Sequence, residues 1–445
     1  MKLSHIALAG SWVALAALAA PPDTTTAVTF NKDVLPILQK NCQQCHRPGE
    51  VAPMSLLTYE STRPWAKSIK TAVAARKMPP WFAEVGHFAN EKVLSQADIN
   101  TLVSWADNGA PEGNAKDKPA PLTFTDGWQI KPDIVVEMPK AFQLPAKGTI
   151  NYKFIRVKGN FTEDVWAQAA EMRPGDPRVL HHGKVWVVPP GSKWMASAEY
   201  GEAYEGQEAG RNSASDENDI LGKFNPGLGA QAFDVDGAAK FIPKGSDLVF
   251  ELHYTAVGEP ASDKSKLGIV LAKNPPQRRY FLSAGPTALN LAIPPGDGNA
   301  EVVSEVTVNL DNVKLVYAQP HMHLRGKDFE LRVVYPTGEK ETVFRGKFDF
   351  EWQLGYNFAK PIPLPKGTRV IGISHFDNSA NNKFNPDPST EVVWGPQNWD
   401  EMSNCFIGLT FDVNAESAKL FQRSGPSLLP RSDRGPTLAA LEALK

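Results

Sequence analysis

The apolar residues of this chain change their period near residue 120, and that change limits the folds open to it. From Asn31 to Asp107 they recur at helical spacing: Trp65, Ile69 and Val73 form one stripe, and Ile99, Leu102, Val103 and Ala106 a second. The second stripe has Ser95 and Asp98 at its start in capping-box spacing and Gly109 just past its end. Residues 115–121, containing Pro and Lys, read as a linker. Beyond it come short alternating or β-branched runs: Asp133 to Met138, Asn151 to Val157, Leu248 to Tyr254, Glu301 to Val308, Phe329 to Val334 and Cys405 to Val413. Turn residues separate them, as in an antiparallel β-sandwich. The expected fold is therefore an all-α domain followed by sandwiches. The β region is too long for one, so it is divided in two near Pro286. Residues 196–229, rich in Gly, Glu, Ser and Asn, read as a long surface loop.

Composition narrows the partners. With 47 basic and 49 acidic residues and a formal net charge of -2, the chain has no electrostatic footprint for nucleic acid. Met1 and Lys2 precede an apolar stretch, Ile6 to Ala20, that is too short to cross a bilayer and ends in small residues. This is a signal-peptide pattern, with Ala17-Leu18-Ala19 fitting the cleavage rule, and it implies export to a periplasmic or extracellular space. No later stretch is long and apolar enough for a transmembrane segment. Three cysteines are few for an exported protein, so packing rather than disulfides must hold it together.

Two of those cysteines have a task of their own. Cys42-Gln43-Gln44-Cys45-His46 is the C-x-x-C-H pattern, in which two thiols attach haem covalently and the imidazole becomes an axial iron ligand. A thioredoxin-like redox pair would need a βαβ pattern around it, and a zinc site a second Cys/His pair nearby; neither is present. For the distal ligand the residues leave Met78, Met54 and His87 open. Met78 precedes Pro79-Pro80, which force an extended loop able to present a thioether. Residues 29–113 resemble the small c-type cytochrome domains of bacterial exported proteins, in Cys42 to His46, Arg47-Pro48-Gly49, Met78-Pro79-Pro80-Trp81 and Asp107-Asn108-Gly109-Ala110. That resemblance implies Met78 as sixth ligand.

Nine histidines occur, and six lie in the β region. All of these except His375 fall into three groupings: His181-His182, His253, and His321-Met322-His323. On a strand, residues i and i+2 share a face, so His321 and His323 can chelate one metal while Met322 points away. His181 and His182 can share a metal only if the backbone bends, which Gly183 would permit. His253 lies on the strand face opposite Phe250 and Leu252. The ordered set Leu180-His181-His182-Gly183, Phe250-Glu251-Leu252-His253-Tyr254, His321-Met322-His323-Leu324-Arg325-Gly326-Lys327 and Asp400-Glu401-Met402 resembles the copper type II, ascorbate-dependent monooxygenases, over residues 124–415. This family includes the peptidylglycine α-hydroxylating and dopamine β-monooxygenases. The resemblance implies two jelly-roll-like copper domains. His181, His182 and His253 would hold an electron-storing copper, and His321, His323 and Met402 the copper that meets oxygen and substrate. A mixed imidazole and thioether set suits copper, because soft sulfur favours Cu(I).

Two departures qualify the likeness. Cys405 is the only thiol of the β region, where animal members rely on several disulfides, and it reads as a buried inert thiol. The amidating members also place an arginine two residues before His-x-His, where this chain has Gln319, which counts against a peptide-amidating role. His375 reads as supporting or structural. The expected division is a signal peptide over residues 1–19, a c-type cytochrome domain over 27–118, β-sandwich copper domains over 122–285 and 286–415, and a tail over 416–445. The expected function is O2-dependent hydroxylation of a C–H bond in a small organic substrate. Two coppers and a covalent haem c would serve it, with electrons drawn from an external ascorbate-like reductant or redox protein. The haem would pass them first to the His181, His182 and His253 copper. The alternatives are a non-catalytic electron-transfer or copper-binding protein and a thiol-disulfide oxidoreductase built on Cys42 and Cys45.

Overall fold

The computed structural model describes residues 27–50, 52–124, 127–206 and 219–423. The expected signal peptide and most of the expected tail lie outside them. Among the described residues no helix is long and apolar enough to cross a membrane. Among the described residues the protein is mostly β-sheet, and its few short α-helices all lie before residue 120.

The helical part is smaller than its sequence pattern suggests. Its α-helices are Leu35–Asn41, Tyr59–Thr62, Ala66–Ala74 and Gln96–Asp107. In the last, Ile99, Leu102 and Trp105 are buried, Ser95 Oγ accepts from the Asp98 N–H, and Gly109 takes φ +82° just past the end. The first stripe departs from expectation at Trp65. Arg63-Pro64-Trp65 forms a 3₁₀ turn before the helix and leaves Trp65 40% exposed, so Ala66, Ile69 and Val73 make the buried face instead.

All six expected β runs form strands, as Ile134–Glu137, Lys153–Lys158, Asp247–Tyr254, Ala300–Val308, Gly326–Val334 and Asn404–Asp412. They build two sandwiches, and Pro286, near which the division was expected, lies inside the strand Arg278–Thr287. That strand pairs antiparallel with Asn404–Asp412 and parallel with Ala238–Ile242, so one nine-stranded sheet runs through both halves. Each half completes itself with its own five-stranded sheet. Asn404–Asp412 shows the consequence, since every residue but the last is buried. Phe406 faces the first core, while Cys405, Ile407, Leu409 and Phe411 face the second. A strand covered on both sides loses the alternation of a half-exposed one.

The segment 196–229 is corrected. It contains the buried strand Asp219–Phe224, which pairs with Leu180–Val188. Nor does the helical part hang on residues 115–121 alone. Ala83 and Phe88 form isolated bridges to Gly346 and Phe358, and Trp81, Phe82, Ala83 and Phe88 join the second β core. On the other side Glu50 pairs with both Arg47 at 2.8 Å and Arg173 at 2.9 Å.

Asp219 ties the first sandwich to the shared sheet, accepting from Lys240 Nζ and from the Leu282 N–H at 3.1 Å. Burial wins over pairing at both charges: it raises the Asp219 pKa and pushes Lys240 down to about 8. Asp219→Ala leaves Lys240 buried without its partner and should cost about 3–5 kcal/mol in urea unfolding. Asp219→Leu combined with Lys240→Met should recover most of that loss.

Candidate metal centre

The pairing of Leu180–Val188 with Asp247–Tyr254 sets His182 opposite His253 and Leu180 opposite Tyr254. His181 is therefore the extra residue of a bulge, and the bulge brings two sequence neighbours to one side. His181, His182 and His253 offer ligand atoms that all lie within 4.8 Å of one another. Nδ1 of His181 and Nδ1 of His182 are 3.1 Å apart, and Tyr152 Oη meets His182 Nε2 at 2.8 Å. Gly183 serves packing rather than the bend, since a Cβ there would lie 2.5 Å from Met172 Cε.

His321 ends the strand Val313–His321, and His323 lies just beyond it. Their ring centroids are 5.2 Å apart, while Met322 is buried in the second core, as the alternation requires. His321 pairs with Asn404, so continuing that register two residues sets His323 across from Met402. A fully buried carboxylate secures this meeting. Glu401 accepts from the N–H of His323 at 2.8 Å, of Arg325 at 2.7 Å and of Met402 at 3.2 Å. Burial raises the Glu401 pKa to about 8, against the pull of those three donors and of the Arg325 charge. One side chain thus joins the His-x-His segment to the Glu401-Met402 segment.

Desolvation leaves all five imidazoles in the neutral form that binds metals. Burial lowers His181, takes His182 and His321 well below the usual range, and brings His253 to about 3 and His323 to about 4. The free nitrogens differ between the sets. His321 Nδ1 is 2.6 Å from Gln353 Oε1 and His323 Nδ1 is 3.3 Å from the Asp400 carbonyl, so Nε2 of each is left to bind. His323 Nε2 and His253 Nδ1 are buried without hydrogen-bond partners, a costly state that a metal ion would relieve.

The two sets abut. The rings of His182 and His321 are 6.0 Å apart, and Phe350 stacks on His181 at 5.0 Å. Beside them lies a polar network that no motif announced. Buried Lys223, from the segment read as loop, donates to Gln319 Oε1 and sits 3.8 Å over the Phe406 ring. Gln319 Nε2 donates to the Gln353 carbonyl at 2.7 Å. Gln353 and Lys223 had no distinguishing spacing in the sequence and only their burial singles them out, whereas Gln319 and Glu401 stood out by position alone, before His-x-His and within Asp400-Glu401-Met402. A cavity of about 410 Å³ opens beside the first set, lined by His253, Thr149 and Ile150 from one half and by Gln397 and Trp399 from the other.

A second cavity, of about 600 Å³, lies between the helical part and both β halves. Cys42, Cys45, His46 and Met78 line it together. Of the other distal candidates, Met54 packs into the helical core, and His87 is exposed on the segment docked to the second β half. His46 is lowered by burial, with the Met54 backbone acting against it, and its Nδ1 lacks a partner of normal geometry. Burial and the neighbouring Cys45 push the Cys42 thiol up to about 12, which disfavours thiolate exchange chemistry. His375 lies away from both sites and bridges Asp328 at 2.7 Å and Glu301 at 3.5 Å on the flanking strands, a structural role. Cys405 is fully buried and its thiol is pushed up to about 12, in keeping with an inert core residue.

Removing His253 should delete one of three convergent ligands and leave the His321 set intact. A titration with Cu²⁺ as probe, followed by equilibrium dialysis, should show one equivalent fewer bound by His253→Ala than by the parent protein. Equal stoichiometry would remove His253 from the site.

No protein-family model matches the chain, and no curated protein matches it. Among solved structures, the VP2 subviral particle of infectious bursal disease virus overlaps 65% of this chain and 75% of that one at 9% identity, with a TM-score of 0.21. The Gt strain of that virus overlaps 68% and 76% at 10% identity, with a TM-score of 0.20. Oxalate decarboxylase of Bacillus subtilis overlaps 59% and 80% at 8% identity, with a TM-score of 0.13. Likeness this slight bears on neither fold nor function, so the site has to be interpreted from its own geometry.

Proposed function

We propose that this chain is an exported copper monooxygenase of the copper type II, ascorbate-dependent kind, fused to a c-type cytochrome domain. It would hydroxylate a C–H bond of a small organic substrate. The observation that carries this reading is the convergence of His181, His182, His253, His321, His323 and the Met402 segment from four separate stretches into abutting buried sets. The joint lining of one cavity by Cys42, Cys45, His46 and Met78 supports the haem. When bound, copper would supply oxygen activation in one-electron steps and haem would supply the electrons one at a time.

The chain's own residues orient and exclude. His181, His182 and His253 would hold one copper and His321, His323 and Met402 the other. Met402 adds the thioether that favours the reduced ion. Tyr152, Gln353 and the Asp400 carbonyl fix the rings of His182, His321 and His323 through their remaining nitrogens. The 410 Å³ cavity beside His253 has the size for a small organic molecule and is lined by both halves. Gln319 is committed to Lys223 and Gln353, so it is not free to receive a substrate carboxylate. A peptide-amidating role remains disfavoured.

A second reading, a non-catalytic electron-transfer or copper-binding protein, draws on the deep burial of His323, which is 1% exposed. Oxygen consumption with an ascorbate-like reductant across candidate substrates separates the two. The monooxygenase consumes oxygen only when a substrate is present and copper is loaded, whereas uptake unaffected by any substrate would support the alternative. Glu401→Gln should weaken copper binding to the His321 set by about 10–100-fold, read by competition with a chelator, because it breaks the clamp on both ligand segments. For the haem, a peroxidase stain should stay with the denatured polypeptide and vanish in Cys42→Ala/Cys45→Ala. Staining as strong as that of the parent protein would refute the covalent attachment.

A further inference from the structure

The wall between the two cavities' chemistries is a single loop. Trp352 and Leu354 line the cavity that holds Cys42, Cys45, His46 and Met78. Between them, Gln353 is buried and turns the other way, its Oε1 lying 2.6 Å from His321 Nδ1. Tyr317, also on the cavity wall, reaches the same residue by a second path. Its hydroxyl donates to Gln319 Oε1 at 3.0 Å, and Gln319 Nε2 donates to the Gln353 carbonyl at 2.7 Å. His321 then faces His182 with 6.0 Å between ring centroids. From the same loop Phe350 stacks on His181 at 5.0 Å, but through ring contact without a hydrogen bond.

We infer that Gln353 is the electron bridge of this protein, carrying electrons from the haem cavity to the metal held by His321, from which the His182 set is recharged. This rests on the function proposed above and reverses the order expected from the sequence, in which the His181, His182 and His253 copper received electrons first. With haem and copper bound, the step would be a one-electron transfer, the haem supplying the electron and the copper at His321 taking it up, with no bond to hydrogen made or broken. The bridge is continuous because only one hydrogen bond, short and buried, separates a covalent segment of cavity wall from a ligand imidazole. Docking of the helical part on both β halves keeps that wall in place, so transfer needs no search by a tethered domain.

The test uses the full chain with haem attached and copper loaded. Haem attachment and two copper equivalents are measured first in the parent protein; absence of either sinks the proposed function rather than this inference. The haem is then reduced by a flash-generated donor and its reoxidation followed anaerobically. Gln353→Leu, loaded at copper concentrations that fill both sites despite the looser hold on the His321 ring, should lose the fast phase with the haem reduction potential unchanged. Gln353→Glu, which retains an acceptor for His321 Nδ1, should restore it. Phe350→Leu should keep the fast phase. The inference is overturned if Gln353→Leu reoxidises as fast as the parent protein, or if Phe350→Leu alone loses the phase, which would make His181 the first acceptor. It also fails if Gln353→Leu loses the His321 copper while Gln353→Glu retains it without the fast phase, because Gln353 then only holds a ring.

Discussion

The parallel pairing of Ala238–Ile242 with Arg278–Thr287 decides the shape of the functional region. Two sandwiches joined by a flexible connection could sit at many angles. Here one sheet passes through both, and their inner edges are locked in register. The strands Leu180–Val188 and Val313–His321 thereby deliver their histidines to a common place. The cost of that arrangement is a sheet buried on both faces, which Asn404–Asp412 meets with an almost unbroken buried run.

Several ionisable side chains sit inside this junction, and each is held by a defined partner. Asp219 and Lys240 brace the parallel pair, Glu401 joins the His323 and Met402 segments, and Lys223 rests between Gln319 and the Phe406 face. Buried polar groups add little net stability, but a satisfied set accepts only one geometry. The same exclusion of water keeps the five imidazoles neutral, so rigidity and readiness for metal have one physical cause. Glu401 illustrates the balance, because three backbone donors and Arg325 do not fully offset its desolvation.

The helical part belongs to this junction as well. Its Cys42 to His46 segment and Met78 come from separate stretches of that unit, yet they line a cavity whose far wall is made by residues near 228, 317 and 352. The aromatic segment from Trp81 to Phe88 packs into the second core, with Trp81 and Phe88 both close to Tyr356. An attached group there would be shared among three parts of the chain rather than carried by one.

The sequence by itself determined the local features. Periodicity located the six β runs, Ser95 and Gly109 marked a helix's ends, and alternation predicted that Met322 would leave the face of His321 and His323. These follow from interactions between residues close along the chain, where spacing alone sets direction. Tertiary structure decided what depends on distant partners. The bulge at His181 exists because Asp247–Tyr254 pairs in two registers, and Trp65 is exposed because Pro64 delays its helix. That the strand containing Pro286 joins a sheet shared by both halves could not be read from its own residues, because a strand's neighbours are distant along the chain. Lys223 and Gln353 were silent for a related reason: an ordinary polar residue acquires a fixed role in packing only when burial removes water and leaves one partner in reach.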